Sequence, residues 1–201
     1  MTLVDVHRPA ASHALVTPPS TVTVAQSVDI AALSGLPRYQ KALASFLLVV
    51  AFGGIILRGS AARVDRSLEA LYERPYSALP YGIMAYVVAL TVGLFGISQL
   101  SRIGVASTLL GRLTALVVTG ALVALTAFGF LVIGTLATDV RGPRRPAYGL
   151  LFGAALSGLG WLVLPTAGGL AAWVLVAAFG LGGAVRRWFH AERTVETERA
   201  D

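Results

Sequence analysis

Long apolar runs separated by short charged intervals dominate the chain from residue 43 to residue 185. The longest uncharged stretch lies between Pro146 and Arg186, where the runs Tyr148 to Leu164 and Gly168 to Val185 flank Pro165, Thr166 and Ala167. About 20 residues at about 1.5 Å rise each cross a hydrocarbon core, so two such runs joined by a Pro-Gly turn predict a helical hairpin in lipid. Its arms cover 147–164 and 168–185. Three earlier runs, 43–58, 81–100 and 113–136, predict further spans. The first is short and needs Tyr39 and the stem of Arg58 to reach the interface. The chain therefore reads as all-α, a polytopic helical membrane protein of about five transmembrane helices occupying residues 41–188. Four spans plus a re-entrant hairpin is the alternative. An emergent turn is expected, because backbone that stops inside the membrane must be covered by protein or water.

Between the first two spans the period changes. Val64, Leu68, Leu71 and Tyr72 recur at i, i+4, i+7 and i+8, while Arg63, Arg66, Glu69 and Glu73 face elsewhere. This predicts one amphipathic helix over 60–74, ended by Pro75. It either lies in the headgroup region, gripped by Arg63, Arg66 and Arg74, or packs on the bundle. Residues 1–40, with Pro9, Pro18, Pro19 and Pro37 and no long apolar run, predict a mostly flexible tail without a cleaved signal peptide. The mixed charges of 189–201 predict a solvated C-terminal tail, and Ile103 to Leu110 is apolar enough to be helical or interfacial.

Composition agrees with this reading. Apolar residues make up 56% and charged residues 13% of the 201, and the mean hydropathy of +0.75 exceeds what a soluble core needs. Fifteen of the sixteen basic residues are Arg and one is Lys41, a skew that a GC-rich genome accounts for. The net charge of +6 comes from arginines dispersed at helix ends, without an aromatic-interleaved patch, which argues for membrane topology and against nucleic acid. With five spans, the loops bearing Arg8, Arg38, Lys41, Arg102 and Arg112 share one side of the membrane. The other side carries eleven arginines, including Arg141, Arg144, Arg145, Arg186 and Arg187. The positive-inside rule then puts the N-terminus outside and the C-terminus in the cytoplasm of a multi-pass cell-membrane protein. Arg63, Arg66, Arg74, Arg144, Arg145, Arg186 and Arg187 become the candidate lipid-headgroup contacts.

Candidate chemistry is sparse. Every acidic residue lies outside the spans, whereas an ion-coupled transporter usually keeps an ionisable group at membrane depth. The three histidines lie in tails or at a helix end and there is no cysteine, so no cofactor, metal centre, catalytic residue or small-molecule substrate is identified. Ser45, Ser98 and Ser157 have no base in their segments, and serines and threonines in such helices ordinarily bond their own backbone. Small residues spaced by about one turn stand out instead. Ala85, Ala89 and Gly93 form one stripe, Gly149, Gly153 and Ser157 a second, and Gly168, Ala172, Gly180 and Ala184 a broken third. Such faces let helices approach closely, so that the hairpin arms pack on each other or seat on the second and third spans. These features predict a non-enzymatic anchor, scaffold or accessory subunit whose partners are the lipid bilayer and other membrane subunits or itself. A small oligomeric channel, with Thr114, Thr119 and Thr126 lining a path, is the alternative, and a lipid-acting enzyme the third.

From Arg63 onward the chain resembles the polytopic membrane domain associated with bactofilin-type polymer-forming cytoskeletal proteins. The matching pieces are Arg63-Val64-Asp65-Arg66-Ser67-Leu68-Glu69, Glu73-Arg74-Pro75, Leu164-Pro165-Thr166-Ala167-Gly168-Gly169-Leu170, Phe179-Gly180-Leu181-Gly182 and Arg186-Arg187. The Val-Gly-Ile-Pro turn of such domains occurs here as Ile103-Gly104-Val105-Ala106, without the proline, and residues 1–40 hold no β-helix repeat. The resemblance implies a membrane anchor or scaffold and supplies no catalytic residue.

Overall fold

The structure, a computed structural model, describes residues 35–105, 108–139 and 146–198. The tail up to residue 34 and the loop holding Arg144 and Arg145 lie outside the described residues. Five helices follow in order: α1 (Arg38–Glu73), α2 (Pro75–Arg102), α3 (Leu109–Asp139), α4 (Pro146–Val163) and α5 (Thr166–Glu198). All five are long and apolar enough to cross a membrane, so this is a multi-pass helical membrane protein in contact with the bilayer. Even α4, the shortest, spans about 27 Å with its 18 residues.

Within α1 the first span and the amphipathic segment are two helical stretches that meet at Ser60, where φ is −157° and ψ 40°. Arg74 then leaves helical geometry and Pro75 opens α2, where its missing N–H costs nothing. At the far end α5 continues to Glu198, so the segment from 189 that reads as a tail is helical through that residue. Charge in the last turns marks where lipid contact ends, not where the backbone hydrogen bonds end.

The last part of α1 packs on the bundle. Val64, Leu68 and Leu71 are buried in one cluster with Ala78 of α2 and with Leu131 and Val132 of α3, while Arg63, Arg66 and Arg74 stay exposed. Between α2 and α3 the chain turns at Gly104, whose φ of 71° suits glycine. Gly104 N–H donates to Ser101 O and Val105 N–H to Leu100 O, the paired bonds of a Schellman cap.

Glycines bring the spans together to backbone distance. A Cβ on Gly182 would fall 1.8 Å from the carbonyl oxygen of Ala78, and one on Gly82 equally close to that of Ala178, so α5 lies flat on α2. Gly129 and Gly180 face each other where α5 crosses α3, and Gly134 meets Gly149 and Gly153 where α4 crosses α3. In lipid, where burying apolar surface between helices releases no water, such close approach is what favours association. α3 is the hub: Ala127, Phe130, Leu131 and Val132 are each 1% exposed or less. Of the hairpin arms, α4 thus seats on α1 and α3 and α5 on α2 and α3, and a cleft separates them near their turn.

Candidate functional site

The bundle has two unlike ends. At the end where α1 begins, the α4–α5 turn lies beside Lys41, which is 7% exposed and donates from Nζ to Thr166 Oγ1 at 2.8 Å. The turn is therefore level with the charged start of α1. One helical turn deeper, Trp173 Nε1 donates to Ser45 Oγ at 2.9 Å, and Ser45 Oγ–H donates to Ser157 Oγ at 3.2 Å. Ser157 in turn donates to the carbonyl of Ala154 at 2.8 Å. Lys41 and Ser45, four apart on α1, share one helix face, so α1 bridges both arms of the hairpin with a short polar ladder.

Around this ladder the walls are greasy. A cleft of about 280 Å³ between α4 and α5 is lined by Gly160, Val163, Ala172 and Val176, with Phe130 of α3, and Ser157 and Trp173 among its lining residues. Trp173 packs against Phe130 with ring centroids 5.8 Å apart. A groove of about 310 Å³ runs between α1 and α4, bounded by Tyr39, Leu43, Phe46 and Leu162.

At the opposite end the amphipathic half of α1 is pinned to α5. Arg186 Nη2 donates to Ala70 O at 3.0 Å and pairs with Glu73 at 2.9 Å, and Arg187 Nη1 donates to Arg66 O at 3.2 Å. Arg186 is consequently not spread into a headgroup layer: its side chain is 12% exposed, because the uncapped end of α1 supplies acceptors inside the protein. Arg63, Arg66, Arg74 and Arg187 remain exposed there. Tyr72 also hydrogen-bonds Asp139 at 3.1 Å, tying α1 to the end of α3.

The small-residue stripes are distributed unequally. Gly149 meets Thr135 and Gly153 meets Phe130, both on α3, while Ser157 faces α1. Gly180 abuts Gly129, Ala172 lines the open cleft, and Gly168 sits within its own turn. On α2, Gly93 meets Val118 of α3, and Ala85 and Ala89 are half-buried. Of the threonines, Thr114, Thr126 and Thr135 donate to the carbonyl four residues back, and Thr126 also accepts from Tyr86 at 2.7 Å in the core. Among the described residues no three His, Asp or Glu side chains converge in a metal-binding group.

Sequence reasoning missed Lys41, treating it as the edge of a span. The available signal was its singularity, one lysine among fifteen arginines, but its partner is 125 positions away and carries no charge. Comparison of the chain with family models, with characterised proteins and with solved structures finds no match.

Proposed function

We propose that this protein is a non-enzymatic anchor or scaffold of the cell membrane, an accessory subunit that presents a fixed charged face to a larger assembly, with its N-terminus outside and its C-terminus in the cytoplasm. The observation that carries this reading is the pinned half of α1. A mobile amphipathic helix would drift in the headgroups, whereas this one is held by Val64, Leu68 and Leu71 from beneath and by Arg186 and Arg187 from the side. Its outer face, with Arg63, Arg66 and Glu69, is exposed in fixed register. The interior at the level of α3 is filled to backbone contact, which favours a structural role over a path through the protomer. The resemblance to the membrane domain associated with bactofilin-type proteins supports a polymer-forming protein as the partner.

Purification from native membranes in mild detergent tests the proposal. A defined protein is expected to co-purify with the wild type and to be lost on combined charge reversal, Arg63→Glu with Arg66→Glu, while the melting temperature stays unchanged. Exposed charges of this kind contribute about 1 kcal/mol or less to folding, so loss of the partner would report the surface. A strictly monomeric protein with no partner, or liposomes rendered permeable by it, would count against the scaffold and for the channel.

A further inference from the structure

We infer that the protein holds a step in the leaflet at the end where α1 begins, the bilayer being thin along α1 and α4 and thick along α2 and α3, so that the two faces select lipids of different chain length. The uncharged lengths of the helices differ. On α2 no charge falls within 75–101 and on α3 none within 113–138, each about 40 Å long. On α1 the exposed charges Arg38 and Arg58 enclose about 28 Å, with only the buried Lys41 between them. The 18 residues of α4 span about 27 Å. A hydrocarbon core of about 30 Å fits the second pair and falls short of the first.

The excess length lies at one end of the bundle. At the other, Tyr72 of α1 bonds Asp139 of α3 and Arg186 of α5 pairs with Glu73, so the charged helix ends are level there. From that end Gly182 meets Ala78 and Gly82 meets Ala178, an antiparallel register that, continued, brings the first residue of α5 opposite Leu94. Gly149 meets Thr135 and Gly153 meets Phe130, a register that carries the last turn of α4 to the level of Gly120. The two levels agree, because Gly93 of α2 meets Val118 of α3. Past them 94–102 and 109–118 run on for about 13 Å beyond the α4–α5 turn. Tilting fits a long helix to a thin bilayer, but backbone contact ties α2 to α5 and α3 to α4, so any tilt is shared and the difference stays.

This overhang has the surface of a lipid-facing segment. Leu94, Phe95, Leu109, Leu113, Leu116 and Val117 are exposed, and Ser98, Ser101 and Thr114 each donate to a carbonyl of their own helix. Arg102 and Arg112 are exposed at its far end, where a headgroup boundary suits them, and no acidic residue lies between Glu73 and Asp139. A leaflet flat at the level of the α4–α5 turn would leave this apolar surface in water. A leaflet flat at the level of Arg102 would sink Lys41 and the turn into hydrocarbon. A step between the two faces meets neither cost.

The chain holds no cysteine, so one introduced thiol carries a bimane fluorophore to a chosen level. Leu116→Cys on the overhang and Ala167→Cys in the turn are each made in the full chain and reconstituted in dioleoyl phosphatidylcholine vesicles. Quenching is read with lipid brominated in its acyl chains and with aqueous iodide on both sides. The probe at 116 stands farther out along the bundle than the one at 167, yet it is expected to lose most of its fluorescence to brominated lipid and little to iodide. The probe at 167 is expected to do the reverse. Any other pattern overturns the inference: iodide quenching of both means a leaflet flat at the turn, lipid quenching of both a leaflet flat at Arg102, and a probe at 116 that neither quencher reaches means that protein covers the overhang. Val117→Cys, at its exposed neighbour, serves should Leu116→Cys not fold. Chain-length selection is read with the same probe in Leu47→Cys on α1 and Val92→Cys on α2, both at exposed positions, in mixtures of dimyristoleoyl and dierucoyl phosphatidylcholine with one or the other brominated. The probe at 47 is expected to favour the short chain and the probe at 92 the long one, by about twofold each. The same preference at both positions overturns the inference.

Discussion

Two of the contacts that Arg186 makes are of unequal worth, and the difference can be measured. Its partner Glu73 is 72% exposed, so that ion pair is screened by solvent and contributes at most about 0.5 kcal/mol. The other contact caps the carbonyl of Ala70, a residue 2% exposed, where losing the donor leaves a desolvated acceptor and costs roughly 1–2 kcal/mol. Arg186→Ala should therefore destabilise the fold clearly more than Glu73→Ala in a reversible SDS-unfolding titration. Equal losses would mean that the ion pair, not the cap, holds α1 to α5. The sequence announces Arg186 as a basic residue at a span end, a place where headgroup contact is the ordinary expectation. Nothing local distinguishes it from Arg187, which is exposed. What draws Arg186 inward is the carbonyl of a residue 116 positions away, and such pairings carry no sequence period.

Glycine shows the same limit at the scale of the helices. Apolar run length is a property of each segment alone, so the existence of five spans and the amphipathic turn ending at Pro75 can be read directly from the chain. Small residues one turn apart say that some face is narrow. Which helix occupies that face depends on crossing register, and Gly93 and Gly120 illustrate it, the first meeting Val118 and the second meeting nothing within 4 Å. Two substitutions of identical chemistry should consequently have opposite signs. Gly182→Ala drives a methyl group into the backbone of Ala78 and should cost about 1–3 kcal/mol by overpacking. Gly120→Ala removes backbone entropy from an open helical position and should stabilise by about 0.5–1 kcal/mol. Both are read in the same unfolding titration, and destabilisation by Gly120→Ala would show that its face is covered by another copy or another subunit. The extension of α5 escaped the sequence for a related reason. A charged terminal segment is equally compatible with helix and with coil until a partner or the lipid boundary decides.

For the whole molecule, the decisive quantity is the number of crossings between two fixed points. Ala62, in the bent half of α1, and Ala167, in the α4–α5 turn, are both exposed and are separated by α2, α3 and α4. Three crossings place them on opposite sides of the membrane, and the chain holds no native cysteine to confuse a thiol probe. With eleven basic residues on the Ala62 side against five on the other, the proposed orientation puts Ala62 in the cytoplasm. Ala167→Cys should then react with a membrane-impermeant maleimide in intact cells, and Ala62→Cys only after the membrane is opened. The inverse pattern would reverse the orientation while leaving the fold intact. Labelling of neither in intact cells would mean that the turn beside Lys41 stays within the membrane. The lysine that donates to Thr166 would then sit at depth, where a charge costs far more than at the interface. An emergent turn removes that cost, because it puts the Lys41 ammonium at the level of the headgroups and water.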